Sequence, residues 1–296
     1  MTKLTIQTPP IFSLKECLIF LNRSTNECLF SVENERVRKL FVLNGNPVLI
    51  EFYIKGSDIL EIKFLNSLPS DKEVVKVKNY IENWLDLKYI MLPFYEMAES
   101  DKILRNLAKN YAGLRLIGIP DFFEAICWAI IGQQINLNFA YSVKKTLVER
   151  YGEKFEYQGR NYFHFPTADK LLDISNEEFL EMKFSKQKVA YIRAVSNKIV
   201  DQSIDIEQLR SSDYETAKKE LTSWYGIGNW SADYILMKTF RHPQAFPIQD
   251  AGLQNALKQL LKLPKKPSLN KIQEISKPWS NYEAYATFYL WRSLSE

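Results

Sequence analysis

The chain has 296 residues, of which 46% are hydrophobic and 25% are charged, so a disordered or low-complexity protein is excluded. This length favours two or three hydrophobic cores over one. No apolar run reaches the roughly 18 residues of a membrane-spanning helix, and the N-terminus lacks the apolar segment of a signal peptide. The net charge of +4 is compatible with binding a polyanion. We therefore expect a cytoplasmic protein that does not associate with a membrane.

The few metal-binding side chains limit the chemistry further. The sequence contains 3 cysteines, which are isolated from one another, and 2 histidines. This composition argues against a disulfide framework, a structural zinc site or an iron–sulfur cluster held by cysteines. We expect the three thiols to be buried or partly buried, and we expect that no cofactor is required.

The first third of the chain has the pattern of an antiparallel sheet followed by a helix. Four segments rich in Val, Ile, Phe and Leu are predicted as strands, at residues 27–32, 37–43, 48–55 and 59–64. Short links with glycine turns favour antiparallel pairing. Ser70 and Glu73 then form a capping box, and Val74, Val77 and Ile81 follow at helical spacing. A small α+β domain over residues 1–95 is predicted.

Residues 96–296 have a helical pattern almost throughout. One clear helical segment begins at Asp121, and three others cover residues 136–151, 185–200 and 281–294. Two further capping boxes are predicted, one at Ser175 and one at Ser212. The only extended stretch lies at residues 157–165. The predicted fold class is therefore α+β, with an N-terminal antiparallel sheet domain followed by a helical region.

The sharpest motif is a helix–turn–helix pattern over residues 221–236. A helix over about residues 213–222 leads into Gly226-Ile227-Gly228, and a second helix starts near Asn229. Two glycines allow a tight turn that a ligand can approach closely. The start of the second helix offers free N–H groups to anions, for which a polymer of phosphates is a natural partner. The alternative is an ordinary αα-turn with a glycine C-cap.

Asp250 is the second notable residue, at the predicted start of a helix that follows Pro247. Taken alone it would be an ordinary N-cap. Together with Gly226 and Gly228, however, it resembles the Gly/Pro…Asp signature of the helix-hairpin-helix (HhH-GPD) DNA glycosylase superfamily. Further matching segments follow in the expected order, at residues 113–126, 131–135, 165–168, 186–190 and 277–282. The sheet domain resembles the N-terminal domain of the 3-methyladenine DNA glycosylase II (AlkA) type.

The resemblance implies an enzyme of base excision repair. Asp250 would be the catalytic carboxylate that stabilises positive charge on the sugar as the damaged base leaves. Superfamily members that also cleave the strand carry a lysine two residues after the second glycine, where this chain has Trp230. A monofunctional glycosylase without AP lyase activity is therefore expected, with alkylated purines such as 3-methyladenine and 7-methylguanine as substrates.

Two other functions stay open at this point. Ala251 stands where the AlkA type can have tyrosine, which would widen the pocket, and Gln134 stands where that type can have an apolar residue. A glycosylase for oxidised or deaminated bases is therefore the first alternative. The second is a non-catalytic DNA-binding protein that uses the hairpin only to hold phosphates. An aspartate beside an aromatic pocket is unnecessary for that second role.

By the same resemblance, aromatic side chains line the base pocket. They are Trp230, Tyr234, Trp279 and either Tyr282 or Tyr285. Electron-rich rings attract an alkylated, cationic base. Aromatic residues in helices are also ordinary core residues, so each of these side chains has that alternative.

The resemblance also implies a DNA interface. Its residues would be Gln133, Gln134, Gly226, Gly228 and Trp230, with Gln134 filling the gap left by the flipped nucleotide. The alternative for Gln133 and Gln134 is that they merely end a helix. Further phosphate contacts could come from lysines, for which the candidates are Lys183, Lys186, Lys188 and Lys238.

The family's hairpin holds a monovalent cation through backbone carbonyls, which map to Thr222, Trp224 and Gly226. A structural Na⁺ or K⁺ is therefore implied at this turn. The expected partner is double-stranded DNA that contains damaged bases. We expect a monomer, associated with the nucleoid if the source is prokaryotic.

Overall fold

The computed structural model describes residues 3–295 of the chain. Its strands are β1 (Lys3–Gln7), β2 (Phe30–Glu33), β3 (Arg36–Leu43), β4 (Asn46–Lys55), β5 (Ile59–Phe64), β6 (Glu153–Tyr157) and β7 (Arg160–His164). Its helices are α1 (Leu14–Leu21), α2 (Asp71–Trp84), α3 (Leu92–Ser100), α4 (Leu104–Asn110), α5 (Phe122–Gly132), α6 (Leu137–Tyr151), α7 (Ala168–Asp173), α8 (Asn176–Glu181), α9 (Lys186–Val200), α10 (Ile206–Ser211), α11 (Tyr214–Thr222), α12 (Asn229–Ile235), α13 (Ala251–Leu260), α14 (Leu269–Ser276) and α15 (Glu283–Arg292). A π-helical turn, Leu236–Phe240, continues α12. No helix within this described part is long and apolar enough to cross a membrane.

The chain divides into two compact units, each assembled from separate segments. The first, which we call the sheet unit, contains the described residues up to Pro10, together with Leu21–Glu82 and Asp121–Ile206. The second, which we call the hairpin unit, contains Ile11–Phe20, Asn83–Pro120 and the described residues from Glu207 onward. The predicted division at residue 95 follows chain order, and it stays a prediction.

A five-stranded antiparallel sheet forms the sheet unit's first layer, in the order β1-β5-β4-β3-β2. The four predicted strands are confirmed, with ends that differ by at most three residues. Asn44 and Gly45 both have positive φ, at 50° and 78°, which suits the two-residue turn between β3 and β4. The additional strand β1 pairs with β5 along one edge, with Lys3 opposite Lys63.

A β-hairpin from later in the chain packs on this sheet. Strands β6 and β7 pair with each other, so the extended stretch expected near residues 157–165 is the second arm of a hairpin. Tyr162 of β7 is buried against Leu40 and Leu49 of the sheet, and its hydroxyl accepts a hydrogen bond from Arg38 at 3.2 Å. The hairpin therefore belongs to the core of the sheet unit.

Most helix starts follow the predicted capping residues. Ser70 and Glu73 form their reciprocal bonds, and the capping box at Ser175 is also present. The prediction of a capping box at Ser212 is wrong by one residue. The Ser212 hydroxyl donates back to the Gln208 carbonyl at 2.8 Å, and Asp213 caps α11 instead.

Candidate functional site

The predicted hairpin joins α11 to α12 in the hairpin unit. Gly226 has φ +89°, a conformation that favours glycine. Ile227 is buried and fills the turn. Gly228 differs from Gly226, because its backbone is extended (φ −92°, ψ −179°) and an added Cβ would meet no atom within 4 Å. The backbone conformation therefore explains the first glycine, whereas neither conformation nor packing explains the second, which lies exposed at the start of α12.

A buried carboxylate ties the two helices of the hairpin together. Asp233 of α12 is 3% exposed and accepts a hydrogen bond from the Tyr214 hydroxyl at 2.6 Å. Lys218 of α11 lies 2.9 Å from the same carboxylate. Burial raises the pKa of Asp233, and the bonds from Tyr214 and Lys218 oppose that rise. These contacts hold α11 against α12 and so fix the turn between them.

Asp250 is the N-cap of α13, and its carboxylate has three hydrogen-bond donors. The backbone N–H of Leu253 donates to Oδ1 at 2.8 Å, which is the capping bond. The indole N–H of Trp291 donates to the same oxygen at 2.8 Å. The indole N–H of Trp230, from the start of α12, donates to Oδ2 at 3.0 Å. The carboxylate is therefore fixed by three separate elements of the hairpin unit.

Tyr234 completes this group, which we call the Asp250 cluster (Asp250, Trp230, Tyr234 and Trp291). The Tyr234 ring lies 5.4 Å from the Trp230 ring at an angle of 30°, and 6.1 Å from the Trp291 ring at 35°. Tyr234 is buried, whereas Asp250 and the two tryptophans keep part of their surface exposed. The cluster therefore presents a carboxylate and aromatic side chains at an accessible surface, an arrangement that suits a cationic ligand.

The remaining predicted pocket aromatics have other partners. Trp279 has no exposed surface, and its indole N–H donates to Asp101 at 2.9 Å. Tyr285 is also buried and donates to Asp86 at 2.6 Å. Tyr282 is half-buried at the N-terminus of α15. Of the predicted pocket residues, Trp230 and Tyr234 are thus the ones that the structure brings to Asp250, and a pocket role for the others stays a prediction.

Gln133 and Gln134 lie in the sheet unit, between α5 and α6. Gln133 is the C-cap of α5, as the alternative interpretation expected for a residue that ends a helix. Gln134 is exposed and has φ +57°, a left-handed conformation that is uncommon outside glycine. Asn136 then caps α6. The segment is a short, sharply turned loop with the Gln134 side chain exposed, and its role at DNA stays a prediction.

One of the candidate phosphate-binding lysines is excluded by burial. Lys238 is 2% exposed, donates to the carbonyl of Ile117 and lies 4.8 Å from two phenylalanine ring centroids. Lys188 is half-buried and donates to the carbonyl of Ile131 at 2.7 Å. Lys183 and Lys186 are exposed, and their role stays a prediction.

The carbonyls predicted to hold a monovalent cation lie where α11 gives way to the turn. Among them, the Trp224 carbonyl accepts the N–H of Ile227 at 3.0 Å, and a carbonyl oxygen has a second lone pair. Neutral oxygen donors are the type that a hard cation takes. The chemistry of Thr222, Trp224 and Gly226 is therefore compatible with Na⁺ or K⁺.

Trp291 is the member of the Asp250 cluster that the sequence did not indicate. It lies 41 residues after Asp250, within an aromatic-rich segment that has the pattern of a core helix. The only local signal is Gly252, which lies in the first turn of helix α13 although no positive φ requires a glycine there. A Cβ at that position would lie 3.0 Å from Asp250 Oδ1 and 3.1–3.2 Å from the Trp291 indole.

Comparisons with known proteins place this combination of a glycine hairpin and a helix-start carboxylate in a class of DNA-repair proteins. Residues 127–281 match the family model described as HhH-GPD superfamily base excision DNA repair protein. Residues 7–126 match the model of the 8-oxoguanine DNA glycosylase N-terminal domain. A DNA-3-methyladenine glycosylase of Bacillus subtilis is 38% identical over 98% of this chain and 97% of its own length.

Solved structures show the same fold. A 3-methyladenine DNA glycosylase from Archaeoglobus fulgidus superposes with a TM-score of 0.85 at 24% identity, covering 97% of both chains. The 8-oxoguanine glycosylase/lyase of Clostridium acetobutylicum in complex with DNA superposes with a TM-score of 0.73 at 22% identity, covering 95% of this chain and 91% of that one. The chain belongs to the HhH-GPD superfamily of base excision DNA repair proteins.

Proposed function

We propose that this protein is a monofunctional DNA glycosylase that excises alkylated purines, such as 3-methyladenine and 7-methylguanine, from duplex DNA. The observation that carries the proposal is the Asp250 cluster, in which a fixed carboxylate stands among aromatic rings beside the hairpin. The name of the Bacillus subtilis relative, a DNA-3-methyladenine glycosylase, supports the same substrate class.

The chemistry is hydrolysis of the bond between the sugar C1′ and the base nitrogen. As that bond breaks, its electron pair leaves with the base and positive charge develops on the sugar. The Asp250 carboxylate stabilises this charge at close range. A water oxygen then bonds to C1′, and the proton that it loses passes to the carboxylate or to solvent. The products are the free base and an abasic site.

Alkylation explains why this cluster suffices for the substrate. A purine alkylated on a ring nitrogen carries positive charge, which weakens its bond to the sugar. The faces of Trp230 and Trp291 attract such a cation at about 0.5–2 kcal/mol each. Selection therefore follows from charge, without a detailed pattern of hydrogen bonds to the base.

The absence of strand cleavage follows from the residue at position 230. A lyase step needs an amine that forms a Schiff base with the sugar. The indole nitrogen of Trp230 is not basic, and its N–H is bound to Asp250. Hydrolysis by water is thus the chemistry that this site supports.

Binding to DNA is assigned to the hairpin and the Gln134 loop. Gly228 would let a phosphate approach the backbone N–H groups at the start of α12. Na⁺ or K⁺ held by the carbonyls of Thr222, Trp224 and Gly226 would add positive charge there. Gln134 would occupy the space left by the flipped nucleotide. Flipping one nucleotide needs one active site, so the enzyme acts as a monomer in the compartment that holds the DNA.

The deciding experiment is base release from methylated duplex DNA, scored with and without alkali. Free methylpurine, with strand breaks only after alkali, is the expected result. Strand breaks without alkali would contradict monofunctional action. Binding without base release from any damaged duplex would leave a non-catalytic DNA-binding protein.

A second candidate is a glycosylase for oxidised or deaminated bases. It is favoured by the match of residues 7–126 to the 8-oxoguanine glycosylase N-terminal domain and by the small, exposed Ala251 beside the cluster. Base release from 8-oxoguanine duplex, assayed beside the methylated duplex, separates the two. Release from the oxidised duplex alone would change the substrate class from alkylated purines to oxidised bases, with Asp250 still the catalytic residue.

A further inference from the structure

The hydrogen bonds of Asp250 are unevenly divided between its two oxygens. An ionised carboxylate has about two acceptor sites on each oxygen. Oδ1 accepts from both the Leu253 N–H and the Trp291 indole, so both of its sites are filled. Within residues 3–295, Oδ2 accepts from Trp230 alone. One acceptor site on Oδ2 is therefore left for a ligand.

The hydrogen bond from Trp291 to Asp250 depends on the absence of a side chain at position 252. Gly252 lies between Asp250 and Leu253, the two residues joined by the capping bond. A Cβ there would lie 3.0 Å from Oδ1 and 3.1–3.2 Å from the Trp291 indole, which is tighter than most Cβ contacts in proteins, so these neighbours would have to shift by a few tenths of an ångström. Because Gly252 lies in the first turn of a regular helix and has no positive φ, the helix itself does not require glycine. The space for the indole is what the glycine provides.

We propose that Trp291 is a positioning residue for base excision, which aims the open site of Oδ2 at the sugar by occupying Oδ1, and that Gly252 is the residue that admits it. This inference rests on the proposed function. It assigns stabilisation of the sugar cation to one oxygen of the carboxylate. The second lone pair of Oδ1 is withdrawn from the reaction because the indole fills it.

A positioning role for Trp291 differs from simple packing because it controls the orientation of the Asp250 carboxylate. Without the indole N–H, Oδ1 keeps the bond from Leu253 and Oδ2 keeps the bond from Trp230, so the carboxylate loses one of its three restraints and can rotate more freely. The negative charge would remain in the site, but its orientation toward the sugar would be less well fixed. Rate enhancement is sensitive to such misplacement even when the substrate still binds.

The first test is Trp291→Phe, which keeps an aromatic ring and removes the N–H. The expected result is a fall of about 10- to 100-fold in the single-turnover rate of base release, the range for losing a hydrogen bond to a charged group. The Kd for DNA that carries a stable abasic-site analogue should stay within about twofold, since the phosphate contacts are untouched.

A matched control is available on the same helix. Tyr289 is buried, lies two residues before Trp291, and donates to the Leu114 carbonyl at 3.1 Å. Tyr289→Phe therefore also removes one donor from α15, but at a distance from the carboxylate chemistry. Its single-turnover rate should equal that of the wild type, although its Tm falls.

Gly252→Ala supplies a second variant, because alanine is favoured over glycine within a helix and the fold is not threatened. Both indoles are kept, yet the methyl group crowds Oδ1 and the Trp291 indole, so we expect the bond between them to lengthen and the rate to fall toward the same range. In the double variant Gly252→Ala/Trp291→Phe the two effects should not multiply, since both act on one contact.

The outcomes are separable from failure of the proposed function. Wild-type protein that releases no base, or Asp250→Asn that releases base normally, would overturn the function itself. With an active wild type and an inactive Asp250→Asn, the inference fails if Trp291→Phe keeps the wild-type rate. It also fails if Trp291→Phe loses rate only in proportion to a loss of DNA binding, or if the effects of the two substitutions multiply.

Discussion

At the scale of single residues, every partner of the Asp250 side chain is a hydrogen-bond donor. The site therefore suits an anion and penalises any group that brings its own N–H. In the Asp250→Asn variant one end of the amide would have to face a donor. The substitution consequently tests charge and hydrogen bonding together.

We expect Asp250→Asn to lose base release by at least about 100-fold, because the charge that opposes the sugar cation is gone. Stability should fall by about 1–3 kcal/mol, from the donor left facing a donor. DNA affinity, measured by fluorescence anisotropy on abasic-analogue duplex, should stay near the wild-type value. Base release within a few-fold of wild type would contradict the assignment of Asp250 as the catalytic residue.

The residues of this site differ in how far sequence could identify them. Asp250 and Trp230 have fixed positions relative to the glycine hairpin, so the resemblance located both. Trp291 has no such marker, because it reaches the carboxylate through the packing of α15 against α13. Burial also separates residues that look alike in sequence: Trp279 is enclosed and Trp230 is not.

At the scale of elements, the hairpin contains two glycines that serve different purposes. Gly226 has a positive φ that a side chain rarely adopts, whereas Gly228 has an ordinary backbone and open space. The turn needs the first glycine for its shape. The second is free of any internal requirement, which leaves the approach of a ligand as the reason for a missing side chain.

This contrast predicts opposite phenotypes for two matched substitutions. Gly226→Ala should destabilise the protein by about 1–2 kcal/mol, the cost of a left-handed backbone for a residue with a Cβ. Gly228→Ala should change stability by less than about 0.5 kcal/mol, as at an open surface site.

DNA binding should respond differently from stability. Gly228→Ala should weaken binding to abasic-analogue duplex several-fold, because a methyl group would stand between the phosphate and the backbone. Urea unfolding and anisotropy titration on the same preparations measure both quantities. If the Gly228→Ala variant binds DNA as tightly as the wild type does, the hairpin turn is not part of the DNA interface.

The elements themselves were largely predictable, and the exceptions have physical causes. The strands β3, β4 and β5 are linked by glycine turns, so their pattern is local. Strand β1 has only five residues and is fixed by pairing with β5, more than fifty residues away in sequence. The error at Ser212 arose because Ser and Asp are both good N-caps, and the choice between Ser212 and Asp213 depends on where α10 ends.

At the scale of the whole molecule, stability depends on charges enclosed in the sheet unit. Glu27 and Lys144 form a buried ion pair at 2.8 Å. Although burial opposes it, the pair with Lys144 lowers the pKa of Glu27 overall. Glu124 lies in the same region without an ion-pair partner of its own among the described residues, and burial raises its pKa to about 7 despite the charges of Lys39 and Lys144.

The raised pKa of Glu124 predicts a pH-dependent stability. Between about pH 4.5 and pH 7 the unfolded chain has released this proton while the folded protein keeps it, so stability falls as pH rises through that window. Glu124→Gln removes the effect. The variant should gain stability over the wild type progressively across the window, with a constant gain above it.

Urea unfolding at several pH values from 4 to 8 measures this gain. Glu156→Gln, at an exposed position on β6, is the matched control for removing one carboxylate from the sheet unit. A gain from Glu124→Gln that is the same at every pH would mean that the carboxyl group ionises in the folded protein as it does in the unfolded chain.

Gly252 has a consequence for the history of this sequence. Because its missing side chain and the Trp291 indole occupy adjoining space beside Asp250, position 252 cannot freely take a larger residue while Trp291 stays in place. A lineage that acquires a larger residue at position 252 should already have lost the tryptophan at position 291, or should lose it soon after. Related enzymes are thus expected to show paired substitution at two sites that lie 39 positions apart in the chain.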